Sequence, residues 1–368
     1  MSESTSAETE TCADPWPAFS LKDAFESDAL ATELCLALFT AAAASYKVDS
    51  VLKPFPKEFC ETQTVMRQSG CEEERVKNIE RLRAFCKRLP PLQRVVKEPA
   101  FAWEREVVES ALFSIPVRLR SKSKTQVFPR LPSLPTSQKL GSPASCCGKQ
   151  MPNIPLPHFV FEVLRSPSHE IQWQKRLQFR QLNGLHNSGK EPVVFAYHGS
   201  RTENFYSILH FGLNQHLNKT SVFGEGTYLS TDLGISLNYS PQGASSYPSS
   251  VFGSSLSVVA ACEVIDDPAH YVQEALPNGK GCSSAGMKKS ASGSLVPEKY
   301  LVVKNNDLLR IKYLLVYAPN FKRPASLTNN RMRRLALFAR QHTFFIGISL
   351  YVSFLVLLGL TRWKPFSL

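Results

Sequence analysis

His198, Gly199 and Ser200 close the apolar run PVVFAYHGS, so an imidazole, a residue without a side chain and a hydroxyl stand in a row at its end. A histidine at a strand end before a tight turn stands where sites are often built, and its charge changes near neutral pH. It can equally be a satisfied structural side chain. Ser200 also has two readings. With Glu203 it matches the S-x-x-E capping box of a helix expected over RTENFYSILHFGL, which Gly212 would close in the left-handed conformation. It can instead contact a ligand.

A second group follows in FGEGTYLSTDLGISLNYS. Gly224 and Gly226 flank Glu225, and Tyr228 follows on a short strand. Ser230 or Asp232 can then cap a helix carrying Ser236 and Tyr239. Two tyrosines and a serine at this spacing can line one cleft, or belong to an aromatic core. The glycine pair is not a G-x-G-x-x-G fingerprint, and the chain has no P-loop. The nine cysteines are singletons apart from the adjacent Cys146 and Cys147, without zinc-ligand spacing, so no metal is expected.

The elements that must position these residues change character along the chain. Residues 1–16 are small, polar and acidic, the composition of a disordered segment. Residues 17–117 read as an α-helical domain. ALATELCLALFTAAAASYK and AFAWEREVVESALFSI have helical spacing, and EEERVKNIERLRAFCKRL places Val76, Ile79, Leu82 and Phe85 on one stripe. Residues 118–156 are rich in proline and serine and carry seven Lys/Arg without an acid, as a linker or insertion would. From 157 to 320 the texture turns to short strands: HFVFEVL, VVFAYHG, SSLSVVAACEVI, KYLVV and LLRIKYLLVYA. Regular βαβ alternation is missing, so the fold class is α+β.

A formal charge of +12 and a pI near 9.3 invite a nucleic-acid partner, but the charge is badly placed for one. Residues 301–368 hold eleven Lys/Arg and one acid, Asp307, for +10. With +7 in 118–150, the remainder is 12 − 17 = −5. No specific nucleic-acid partner is expected. Residues 343–360, TFFIGISLYVSFLVLLGL, have no charge and no proline. At 1.5 Å per residue they reach roughly 27 Å, close to a bilayer core. They read as a transmembrane tail anchor behind a basic juxtamembrane segment, 321–342, with 361–368 as a short lumenal tail. Arg331, Arg333, Arg334 and Arg340 before the span place the body of the chain in the cytosol. The acidic first residues lack the apolar run of a signal peptide.

H-G-S on a strand, then G-x-G-x-Y-L, a helix ending in N-Y-S, and the K-Y-L-V-V and K-Y-L-L-V-Y strands together resemble the poly(ADP-ribose) polymerase family of diphtheria-toxin-like ADP-ribosyltransferases. The resemblance covers roughly 157–318 in four ordered blocks, and blocks of the first sixty residues and the tail are similar to its tail-anchored members. It implies a mixed α/β catalytic domain, a regulatory N-terminal domain, NAD as co-substrate, no metal, and protein acceptors that include the enzyme itself. It also implies the endoplasmic-reticulum membrane with the contiguous nuclear envelope, and a link to stress signalling there.

The resemblance further assigns roles. His198 would bond a ribose 2′-OH of NAD, and Gly199 would hold the nicotinamide amide through its backbone. Tyr239 and Tyr228 would flank the nicotinamide ring, Ser236 would bond the carboxamide, and Ser200 would contact the adenosine. Residues 214–226 match a loop covering the donor. Chain-elongating relatives carry Glu twelve residues before the Lys of K-Y-L-L; here that position is Tyr300. A phenol with pKa about 10 is a poor general base at neutral pH, so single ADP-ribose units are the expected product. Glu298, two residues earlier, lies about 6.6 Å away by strand rise and is the weaker substitute. The catalytic set is therefore His198, Tyr228 and Tyr300. The rival reading is a catalytically degenerate NAD-binding scaffold held at a membrane.

Overall fold

The computed structural model describes residues 20–67, 70–132, 134, 154–182, 192–213, 226–244, 247–266, 271–273, 288–289, 295–296, 299–322, 351 and 353. Two units divide the chain, Met1–Phe321 and Lys322–Leu368.

The first unit begins with α1 (Leu21–Ser27), α2 (Ala29–Ala44) and α3 (Val48–Val51). Ser20 caps α1 through a capping box with Asp23. Asp28 caps α2, its Oδ1 accepting from the Ala31 N–H at 3.1 Å. Good helix formers fill α2, and its sides are buried nearly all round, through Leu34, Leu36, Leu38, Phe39 and Ala42. A helix apolar on every face is a core helix. Within it Glu33 is buried, with Oε2 lacking a hydrogen-bond partner. Burial pushes its carboxyl up to about 8 despite a bond from the Val251 N–H, so it holds its proton at neutral pH.

The next segment differs from the continuous helix expected there. β1 (Cys60–Arg67) and β2 (Gly70–Lys77) form an antiparallel hairpin, with Cys60 opposite Lys77. Only at Ile79 does α4 (Ile79–Arg88) begin, because Asn78 Oδ1 accepts the Arg81 N–H at 2.9 Å and fixes the helix start. Val76 is thus on a strand and partly exposed, while Leu82 and Phe85 keep their buried places. α5 (Leu92–Lys97) and α6 (Ala102–Phe113) complete this part, and α6 buries Val107, Val108, Ala111 and Leu112 as its spacing requires.

The stretch 118–156, expected as a linker or insertion, is not a free linker in its first part. β3 (Arg118–Lys122) pairs with β4 (Phe159–Leu164), and α7 (Lys124–Val127) leads into a buried cluster of Val127, Phe128, Leu131 and Leu134. The basic charge that suggested a linker has a partner forty residues on. Arg120, Lys122 and Lys312 all meet the Glu162 carboxylate, at 2.6, 3.1 and 3.2 Å. Burial works to raise that carboxyl, but the three cations outweigh it and hold it at about 2. Residues 135–153 lie outside the described ones.

Beyond β4 come α8 (Pro167–Leu182), β5 (Val193–Gly199), α9 (Phe205–Phe211), β6 (Thr227–Ser230), α10 (Leu233–Asn238), β7 (Gly243–Ala244), β8 (Ser255–Ile265) and β9 (Tyr271–Gln273). β10 (Lys288–Lys289), β11 (Leu295–Val296), β12 (Tyr300–Val303) and β13 (Leu309–Tyr317) follow. One antiparallel sheet runs β3-β4-β13-β8-β5-β6-β12-β9, with β7 added beside β8. Helices set off from an antiparallel sheet make the α+β class. The central strands β8 and β13 are buried along almost their whole length, which is why they read as continuous apolar runs. Arg310 pins α8 to the sheet: it donates to Glu263 at 2.5 Å and Glu170 at 2.7 Å and lies 4.3 Å from the Trp173 ring centroid.

The helices of the first hundred residues pack directly on this sheet. Asp28 Oδ2 accepts both the N–H and the hydroxyl of Ser121 on edge strand β3, at 2.6 and 2.7 Å. Phe39 of α2 meets Tyr206 of α9, and the Tyr247 hydroxyl donates to the Pro90 carbonyl at 2.9 Å. In the second unit Tyr351 is helical. Among the described residues no helix is long and apolar enough to cross a membrane, and the expected span 343–360 falls almost wholly outside them.

Candidate active site

Three neighbouring strands carry the candidate residues. Tyr197 of β5 stands opposite Ser230 of β6, which stands opposite Tyr300 at the start of β12. β5 and β6 share this single register pair among the described residues. Just past it a side chain also bridges the two strands, for His198 Nδ1 lies 2.9 Å from the Tyr228 carbonyl. A carbonyl only accepts, so Nδ1 carries the proton and Nε2 keeps its lone pair. Packing around the imidazole lowers its pKa below the usual value, against the opposing pull of that bond. The ring is therefore neutral at neutral pH.

Gly199 follows at the point of closest approach. A Cβ there would sit 1.9 Å from the Ser236 carbonyl oxygen and 3.0 Å from the Tyr239 Cβ. α10 therefore lies directly on the end of β5. Its start is fixed by Asp232, one of the two caps the sequence offered, whose Oδ1 accepts the Gly234 N–H at 2.9 Å. Ser236 is buried and its hydroxyl donates to the Tyr197 carbonyl at 3.1 Å, which leaves its oxygen able to accept. Tyr239 closes the helix and is 58% exposed. Its hydroxyl, ahead of partial burial, raises the Tyr300 phenol above its ordinary value.

His198, Gly199, Tyr228, Ser236, Tyr239 and Tyr300 thus form one connected cluster. Ser200 adjoins it, but not as the expected cap. Its N–H donates to Ser240 Oγ at 3.0 Å, its own oxygen accepts from Asn204 at 2.8 Å, and Glu203 pairs with Arg201 at 2.7 Å. The reason is Thr202, buried and donating to the Leu256 carbonyl, which winds Thr202–Asn204 into a 3-10 turn ahead of α9. Gly212 does close α9, at φ +77. Residues 214–225 and Glu298 lie outside the described ones. Sequence reading missed Ser240 and Lys299. Lys299 Nζ donates to Asp232 Oδ2 at 2.6 Å across 67 residues of sequence, a separation that leaves no local signal. Among the described residues no group of His, Cys, Asp and Glu is arranged to hold a metal.

The poly(ADP-ribose) polymerase catalytic domain matches residues 156–319, from just before β4 to just past β13. The ARTD15 N-terminal domain matches 23–110, the span of α1 to α6. The mouse protein mono-ADP-ribosyltransferase PARP16 is 35% identical over 351 residues, 94% of each chain. The chain belongs to the poly(ADP-ribose) polymerase family. The human protein of the same name is equally similar, 35% identical over 94% of this chain and 95% of its own. As a family member with this catalytic domain and these relatives, the protein is an NAD-dependent mono-ADP-ribosyltransferase. The Tyr at position 300 is a property of this poly(ADP-ribose) polymerase family member's own sequence, and it faces Tyr239.

Proposed function

We propose that the protein transfers single ADP-ribose units from NAD to protein side chains, its own included, from a cluster built on His198, Tyr228 and Tyr300. The observation that carries this reading is the neutral His198, tied through Nδ1 to Tyr228 with Nε2 left as an acceptor. The residues suit NAD. A neutral imidazole can accept from a ribose 2′-OH, and the exposed Tyr239 ring can stack on a flat aromatic cation, with Tyr228 on its other face. The Ser236 oxygen can accept from a carboxamide, Gly199 lets the backbone approach, and Ser200 would contact the adenosine. NAD supplies a glycosidic bond to nicotinamide, a cationic and therefore good leaving group. The chain's own residues then need chiefly to fix geometry and to strengthen 2′-OH bonding as positive charge develops on the ribose. Tyr300, a phenol with a raised pKa, does not replace the general base that elongation needs.

Incubation with labelled NAD is expected to give a label of single-unit mass that Tyr228→Ala abolishes. A polymer ladder would overturn the single-unit reading. Equal labelling of the variant would overturn the site, and NAD binding without nicotinamide release would overturn transfer.

Residues 343–360 are proposed to hold the enzyme in the endoplasmic-reticulum membrane and the contiguous nuclear envelope, with the catalytic part cytosolic and a role in stress signalling. The uncharged, apolar stretch and its Arg-rich flank support this. Full-length protein is expected to stay with membranes in alkaline carbonate, and a 1–342 truncation to be released. Release of both would overturn the anchor. The same charge layout supports protein acceptors over a specific nucleic acid.

A further inference from the structure

Position 199 must be glycine for lack of space, yet glycine is the residue whose backbone turns most freely. β5 ends there, and the first donor past the strand, the Ser200 N–H, donates to Ser240 Oγ at 3.0 Å. Ser240 is a fixed acceptor. It is buried, its N–H donates to the Leu237 carbonyl of α10 at 3.0 Å, and its carbonyl accepts the hydroxyl of Ser257 at 2.6 Å. Ser257 is itself buried, on β8. The Ser200 hydroxyl oxygen is held separately, by Asn204 at 2.8 Å.

The direction of that bond has a consequence one atom away. A trans peptide is planar, so its N–H and C=O point in opposite directions. With the Ser200 N–H turned to Ser240, the Gly199 carbonyl points the other way. Along a strand, residues two apart present their backbone groups to the same side. Two residues before Gly199, the Tyr197 carbonyl accepts the Ser236 hydroxyl at 3.1 Å. The Gly199 carbonyl therefore faces the side on which Ser236 lies, the side of the candidate site. We propose that Ser240 is a positioning residue: by accepting the Ser200 N–H it locks the Gly199–Ser200 peptide, so that the Gly199 carbonyl stands ready to accept from the nicotinamide carboxamide of NAD. The inference rests on the NAD site described under Proposed function and adds to it what fixes the backbone that meets the nicotinamide. Without the Ser240 hydroxyl this peptide is free to rotate about a glycine. Ordering it on binding then costs affinity that preorganisation saves.

Calorimetric titration of the full-length protein with NAD and with ADP-ribose tests it, because the two ligands differ in the nicotinamide. Ser240→Ala is expected to weaken NAD binding about fivefold, the typical worth of one net hydrogen bond, and ADP-ribose binding by less than about twofold. ADP-ribose is spared because the Ser200 oxygen keeps its bond from Asn204, and its binding also reports that the variant is folded. Ser240→Thr keeps the hydroxyl and is expected to bind both ligands as the wild type does. Equal weakening of both ligands by Ser240→Ala would make Ser240 a purely structural residue and overturn the inference. So would unchanged NAD binding in Ser240→Ala, or a Ser240→Thr variant as weak for NAD as Ser240→Ala. If the wild type favours NAD over ADP-ribose and Ser240→Ala keeps that preference in full, the Ser240 inference alone falls. A wild-type chain that binds NAD no tighter than ADP-ribose would overturn the nicotinamide side of the proposed site, and the inference with it.

Discussion

Replacing His198 with Ala is expected to lower kcat/KM for nicotinamide release by about a hundredfold or more, the usual worth of a preorganised group at the reacting centre. Two losses combine. The proposed Nε2 bond to the ribose is lost, and the Tyr228 carbonyl loses the Nδ1–H that bridges β5 and β6. The two strands share a single register pair among the described residues, so the imidazole also spaces them. The pH dependence follows from the direction of its shift. The folded pKa lies below the ordinary value of about 6.5, so protonation, which would turn Nε2 from acceptor to donor, begins only on the acid side of that value. The rate is expected to hold as pH falls through 6.5 and to drop below it. Stopped assays of nicotinamide release across pH 5 to 8 check both points. A His198→Ala enzyme with near-normal turnover would remove the histidine from the site.

Gly199→Ala is the second large effect, and it arises from space and not from chemistry. The added methyl would lie 1.9 Å from the Ser236 oxygen and 2.8 Å from its carbonyl carbon. Both atoms are backbone, so no side chain can swing aside, and α10 must move off β5. Overpacking of this kind costs about 1–3 kcal/mol. Because α10 carries Ser236 and Tyr239, the displacement is expected to weaken NAD turnover at least about tenfold even where the variant stays folded, as a misplacement of about 1 Å does. Urea denaturation and steady-state kinetics measure the two separately. Gly234→Ala is the control. Its nearest atom is Asp232 Oδ1 at 3.2 Å, where Gly199 meets backbone at 1.9 Å, so a milder loss is expected. If Gly199→Ala matched wild type in midpoint and KM, the close packing of α10 on β5 would be wrong.

Much of this was legible in the residues. The strands now seen as β4, β5, β8, β12 and β13 stand out as Val/Ile/Phe/Tyr runs, because a buried strand needs apolar side chains along its length. α2 and α6 follow from helix formers at helical spacing, and Asp232 and Gly212 mark helix ends that local backbone chemistry requires. His198, Gly199, Tyr228, Ser236, Tyr239 and Tyr300 could be singled out by motif order alone.

Other features were decided only by contacts between distant segments. The hairpin at 60–77 lay hidden within a plausible helical stripe, because Asn78 as a cap outweighs a pattern that both periodicities partly fit. The basic run at 118–122 looked like linker until Glu162 met it. Ser200 read as a cap until Ser240 took its N–H. Composition, periodicity and caps act over a few residues, so the sequence by itself determined the α+β class, the chemical types at the site and the position of the apolar tail segment. The tautomer of His198, the closeness of α10 to Gly199 and the influence of Tyr239 on Tyr300 span from about 30 to 60 residues of chain. Such pairings exist only once the sheet has brought β5, β6 and β12 side by side, and tertiary packing alone decided them.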